Sequence, residues 1–164
     1  LSDCRIRKTG MKAAALIVFI IIAAAAFFLF DSSGTLILSN GKTGEIYSTY
    51  RLKNGDTFSI GFVHSVNKSP VTDYYELRPD GIYVVKTVYY GFGAGVQTEL
   101  EDGQKLSYGE DGSMIITGFD KRMDNLIYFV GTVSDHMLTL NEKESISLRD
   151  LCGRNAMVRF DWKH

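Results

Sequence analysis

Thr57-Phe58-Ser59-Ile60-Gly61-Phe62-Val63-His64 alternates small or polar residues with apolar ones from Thr57 to Phe62. In an extended chain successive side chains leave opposite faces. Phe58, Ile60 and Phe62 therefore share one face, and Thr57, Ser59 and Gly61 the other. A strand with one apolar face needs a second layer to cover it. His64 keeps the apolar register, which predicts an imidazole directed inward or into a cavity at the end of that face.

The flanking sequence repeats the pattern. Thr35 to Ser39 and Ile46 to Leu52 read as strands separated by the Asn40-Gly41 turn, and Lys53-Asn54-Gly55-Asp56 closes the second. Beyond His64, Val71 to Leu77 reads as a strand, Pro79-Asp80-Gly81 as a turn, and Ile82 to Tyr90 as a long aromatic strand. Ser113 to Thr117, Asn125 to Thr132, His136 to Leu140, Ser145 to Leu148 and Ala156 to Trp162 follow as further strands. Turns fall at Glu99 to Gln104 and Tyr108 to Gly112, and a short helical turn is expected within Ser147 to Cys152. Roughly ten short strands at this spacing predict an all-β domain, an antiparallel β-sandwich or a small barrel.

Before the strands, Ala13 to Phe30 are eighteen consecutive apolar residues, preceded by Arg5, Arg7, Lys8 and Lys12 and opposed only by Asp3. This length just reaches that of a transmembrane helix, and the basic flank places the N-terminus in the cytoplasm. Residues 1–12 are then a cytoplasmic basic segment, 13–30 a signal-anchor, 31–43 the membrane exit with the first strand, and 44–164 an extracytoplasmic β-domain. Starting at Met11 instead would leave Lys12 ahead of the span and keep the orientation. The alternative is a cleaved signal peptide and a secreted domain. Against it stands Phe27-Phe28-Leu29-Phe30, which cleavage after Ala26 would leave as an apolar N-terminus.

Past the span, fourteen Lys/Arg stand against eighteen Asp/Glu, a net charge of −4. A mildly acidic surface without a basic stripe argues against nucleic-acid binding. Cys4 and Cys152 fall on opposite sides of the membrane, so Cys152 reads as a small buried hydrophobe.

The chemistry-bearing stretch is His64-Ser65-Val66-Asn67-Lys68-Ser69-Pro70-Val71-Thr72-Asp73-Tyr74-Tyr75. Within one strand, neighbouring His64 and Ser65 point to opposite faces, which argues against a nucleophile–base pair. His64 and Asp73 lie nine apart across the Pro70 turn, and the carboxylate there is placed to hold one ring nitrogen and leave the other for a ligand. A buried histidine that pins the turn is the alternative. One histidine with one aspartate is too small a set for a metal, and His136 and His164 stand alone in the sequence. Glu99-Leu100-Glu101-Asp102-Gly103 lacks calcium-loop spacing. Gly91, Gly93 and Gly95 alternate, removing side chains from one face to form a bulge or a backbone anion site.

His64-Ser65-Val66, then Pro70-Val71, Asp73 and Tyr75, then Gly91-x-Gly93-Ala94-Gly95 after an aromatic strand, resemble the bacterial and archaeal family known as domain of unknown function 1850. The resemblance spans about residues 44 to 162. Asp73 stands where that family usually has glutamate, and Val96-Gln97-Thr98-Glu99 replaces its methionine, glutamate and prolines. The resemblance implies a small extracytoplasmic protein whose gene often neighbours that of a TAXI-type TRAP transporter, a secondary transporter fed by a solute-binding protein.

The expectation is thus a membrane-anchored, non-catalytic accessory domain that contacts the transporter permease or its TAXI-type solute-binding protein. His64, Ser65, Asp73, Tyr75, Gly91, Gly93 and Gly95 form the expected functional surface, with no cofactor and no metal. The alternatives are a small-ligand or metal-binding module of the cell envelope, and an envelope hydrolase with His64 as base and Asp73 as its orienter.

Overall fold

The computed structural model describes residues 33–66, 68–91 and 99–164. Ser33–His164 form one compact unit. Its strands are β1 (Ser33–Asn40), β2 (Ile46–Lys53), β3 (Thr57–Val63), β4 (Pro70–Arg78), β5 (Gly81–Tyr89), β6 (Lys105–Tyr108), β7 (Met114–Arg122), β8 (Leu126–Phe129), β9 (His136–Leu140), β10 (Glu144–Ser147) and β11 (Met157–Lys163). The short helix α1 (Leu148–Cys152) precedes β11. The expected membrane span at 13–30 lies outside the described residues. Among the described residues no helix is long and apolar enough to cross a membrane.

The strands make two antiparallel sheets, one ordered β2-β1-β11-β8 and the other β10-β9-β3-β4-β5-β7-β6. Among the described residues both sheets are open rather than closed on themselves, the arrangement of a sandwich and not a barrel. The alternation in β3 has the expected result. Phe58 and Ile60 are buried and face Leu140 and Leu138 on β9 and Tyr75 on β4. The other sheet supplies Leu36, Leu38, Leu126, Val158 and Phe160 to the same core. A stack of Phe58 between Tyr75, at 4.9 Å, and Phe160, at 5.7 Å, ties the layers together. A smaller cluster of Val71, Tyr89, Met114 and Ile116 lies under the β4–β5–β7 part of the larger sheet.

The helical turn forms for a local reason. Ser147 caps it by accepting from the Asp150 N–H, and Gly153, at φ 89°, ends it by donating to the Arg149 carbonyl. Cys152 packs against the main core, and burial pushes its thiol up to about 11. That is an inert thiol at neutral pH.

Candidate functional site

β3 ends at Val63, one residue earlier than its alternation suggests. His64 begins the turn that follows, donating its N–H to the Ser69 carbonyl and accepting from the Lys68 N–H. The strand geometry that would separate His64 from Ser65 therefore does not apply, and both residues line one cleft. The cleft has a volume of about 470 Å³ and opens between this turn and the crossover from β8 to β9.

That crossover carries the chain from one sheet to the other at the end of the sandwich. It is pinned to β3 where the Val63 N–H donates to the Ser134 hydroxyl at 3.1 Å. Gly131 sits tightly against this turn, and a Cβ there would run into the Ser134 carbonyl oxygen. Thr132, Val133 and Phe129 complete this wall of the cleft.

His136, read from the sequence as solitary, forms part of the same cleft. It opens β9 directly opposite Phe62 of β3, and their rings stack at 4.8 Å and 13°. Only 9% of its surface is exposed. The Gly131 N–H donates to its Nδ1 at 3.2 Å, which leaves the ring proton on Nε2. Burial lowers the pKa of His136, against an opposing pull from the Asp135 charge.

Asp135 is the residue that fastens this corner, and no motif marks it in the sequence. Its Oδ1 accepts from the backbone N–H groups of His136 and Arg149, and its Oδ2 from the Ser147 hydroxyl at 2.5 Å. Burial alone raises its pKa, but these hydrogen bonds and the Arg149 charge together leave it lowered.

Asp73 has a different place from the expected one. It stands opposite Ile60 on β3, four residues short of His64, or about 13 Å along a strand. Its Oδ1 accepts from Thr87 at 2.8 Å, its cross-strand partner on β5, and its Oδ2 accepts from Tyr128 at 2.6 Å. Tyr128 belongs to the opposite sheet, and its hydroxyl lies 2.7 Å from that of Tyr75. Because Tyr128 gives its only proton to Asp73, Tyr75 donates to Tyr128. Burial first and the Asp73 charge second raise the pKa of both phenols, which remain protonated. Asp73 is therefore the acceptor of a Tyr75–Tyr128 chain across the sandwich, with its oxygens committed to that network rather than to His64.

The expected functional residues thus separate. His64 and Ser65 line the cleft. Asp73 and Tyr75 belong to the inter-sheet network. Gly91 lies half-buried just after β5, where a Cβ would come within 3.9 Å of the Ser69 hydroxyl. Gly93 and Gly95 lie outside the described residues. Thr87, Tyr128, Asp135 and His136 are the residues that sequence reasoning missed. Among the described residues no group of three or more His, Cys, Asp or Glu is arranged to hold a metal ion.

Two antiparallel sheets, joined by a part-buried Tyr–Tyr–Asp chain and open at one end in a histidine-lined cleft, define an all-β sandwich domain. The model of the domain of unknown function DUF1850 matches residues 58–147, more than half of the sequence, and the chain belongs to that family. The matched segment runs from β3 through β10 and so contains both walls of the cleft and the whole Asp73 network. No curated protein and no solved structure matches the chain.

Proposed function

We propose that this protein is a non-catalytic accessory domain of the cell envelope that works by contact through the cleft end of its sandwich. The observation that carries this reading is an exposed apolar rim. Val63 is 43% exposed, Val66 66%, Phe129 65% and Val133 90%, and three of the four line the cleft itself. Large apolar side chains gathered on loops at one end of a small domain favour association with another protein. In the setting that the family resemblance implies, the partner is the permease or the solute-binding protein of a TAXI-type TRAP transporter. The basic, apolar N-terminal segment supports an anchor that holds the domain on the outer face of the membrane.

The commitment of Asp73 to Thr87 and Tyr128 supports a non-catalytic reading, because Asp73 is the carboxylate that was expected to orient His64 as a base. The test is gentle detergent extraction of the tagged full-length chain from its native membrane, followed by identification of what accompanies it. Recovery of a transporter subunit in near-stoichiometric amount, lost in a Val63→Ser/Val133→Ser variant that stays folded, is the expected result. Recovery of the protein alone, with the transporter intact in the same extract, overturns the reading.

A further inference from the structure

The cleft is shaped for more than a flat contact. We propose that it binds a small organic monocarboxylate with an apolar body, held by Lys68, His64 and His136. This rests on the reading that the cleft end is the working end of the domain, and it adds a ligand to that end.

Three observations carry it. The first is size, since about 470 Å³ falls within the range of small-molecule sites. The second is the character of the walls. Phe62, Val63, Phe129 and Val133 give apolar sides that match a hydrocarbon body, whereas phosphate alone would leave them unused. The third is charge. Lys68, His64, Ser65, Thr132 and His136 bring an ammonium group, two imidazoles and two hydroxyls, and no Asp or Glu is among the described residues that line the cleft. One fixed positive charge matches one carboxylate, and the surrounding donors match its oxygens.

His136 is built for such a role. Its Nδ1 is occupied by the Gly131 N–H, so Nε2 carries the proton and acts as donor. Its plane is held by the stack on Phe62 and by the edge of Tyr128 at 6.0 Å. The acid next to it in sequence, Asp135, bonds to its backbone N–H and to the start of α1. A ring donor fixed on both sides is an arrangement that recognises an acceptor without reorganising.

The probes are sodium benzoate, sodium hexanoate and the neutral isostere benzamide, titrated into the full-length chain in detergent while the histidine ring C–H signals are followed by NMR. The expected result is a saturable shift of the His64 and His136 signals with a carboxylate and none with benzamide. Lys68→Gln, a change at an exposed turn residue, is expected to weaken carboxylate binding by at least about ten-fold with unchanged dispersion of the spectrum. Equal shifts with benzoate and benzamide, unchanged affinity in Lys68→Gln, or no saturable shift with either carboxylate would each overturn the proposal. The titration involves no transporter, so its failure is distinct from a failure to recover a transporter subunit.

Discussion

The Tyr128 hydroxyl on one sheet donates to the Asp73 carboxylate on the other across 2.6 Å, bridging the two layers of the sandwich. A carboxylate directed inward is costly unless its oxygens are hydrogen-bonded, and here Thr87 and Tyr128 each donate to one of them, with Tyr75 behind. Tyr128→Phe removes a donor from Asp73 and an acceptor from Tyr75 together. It is expected to cost about 1–3 kcal/mol of stability in chemical denaturation. The double variant Asp73→Asn/Tyr128→Phe should cost clearly less than the two single changes added. Additive costs would mean that the groups do not act as one unit.

His136 makes stability depend on pH. Its folded pKa is lowered from 6.5, so the unfolded chain takes up its proton first as the pH falls. Stability from this group is fully present above pH 6.5 and is lost as the pH drops below that value. The pKa of Asp135 is lowered from 3.8, so its contribution is present above that value and fades only at more acid pH. Denaturation midpoints measured between pH 8 and pH 5 should fall on the acid side, and His136→Phe should flatten the curve. A slope unchanged by that substitution would assign the effect to other groups.

Asp135 joins the crossover to α1, accepting from Ser147, Arg149 and His136. Asp135→Ala leaves two backbone N–H groups and a hydroxyl without this partner. A loss on the order of 2 kcal/mol follows from lost hydrogen bonds to a charged group. Amide hydrogen exchange should quicken at Arg149 and His136 while Leu36 and Leu38, deep in the other sheet, keep their protection. Uniform quickening across the domain would show that the effect is not local.

Gly131→Ala tests the packing of the crossover. The added methyl group meets the Ser134 carbonyl, which is backbone and cannot swing aside. The crossover must shift, and with it the bond from the Val63 N–H to Ser134. The expected outcome is a lower melting temperature with altered His136 ring signals. Gly112→Ala serves as a comparison at a glycine whose Cβ meets nothing, although its φ of 80° carries backbone strain instead. Unaltered His136 signals in Gly131→Ala would contradict the close approach.

Much of the sandwich is legible because its signals are local. β9 begins and ends where alternation says, at His136 and Leu140, and the Ser147 cap and Gly153 stop mark α1. β7 runs past its expected end at Thr117 because Gly118, at φ 82°, bends the strand without ending it. β8 is shorter than its apolar run because Val130 and Gly131 already belong to the crossover. The site was less legible for a different reason. Tyr128 and Asp73 are 55 residues apart and meet only because two sheets stack. His136 joins the cleft only through its pairing with Phe62 on β3, a long-range register that no spacing near His64 reveals.

The most direct test of the contact surface is site-specific photo-crosslinking in the native membrane. A photoreactive side chain at Val133, on the rim, is compared with one at exposed Asn125, just before the far end of β8. Position 133 is expected to crosslink to a subunit of the transporter, and position 125 is not. Crosslinking from position 125 alone, or from neither position while the transporter is present, would contradict it.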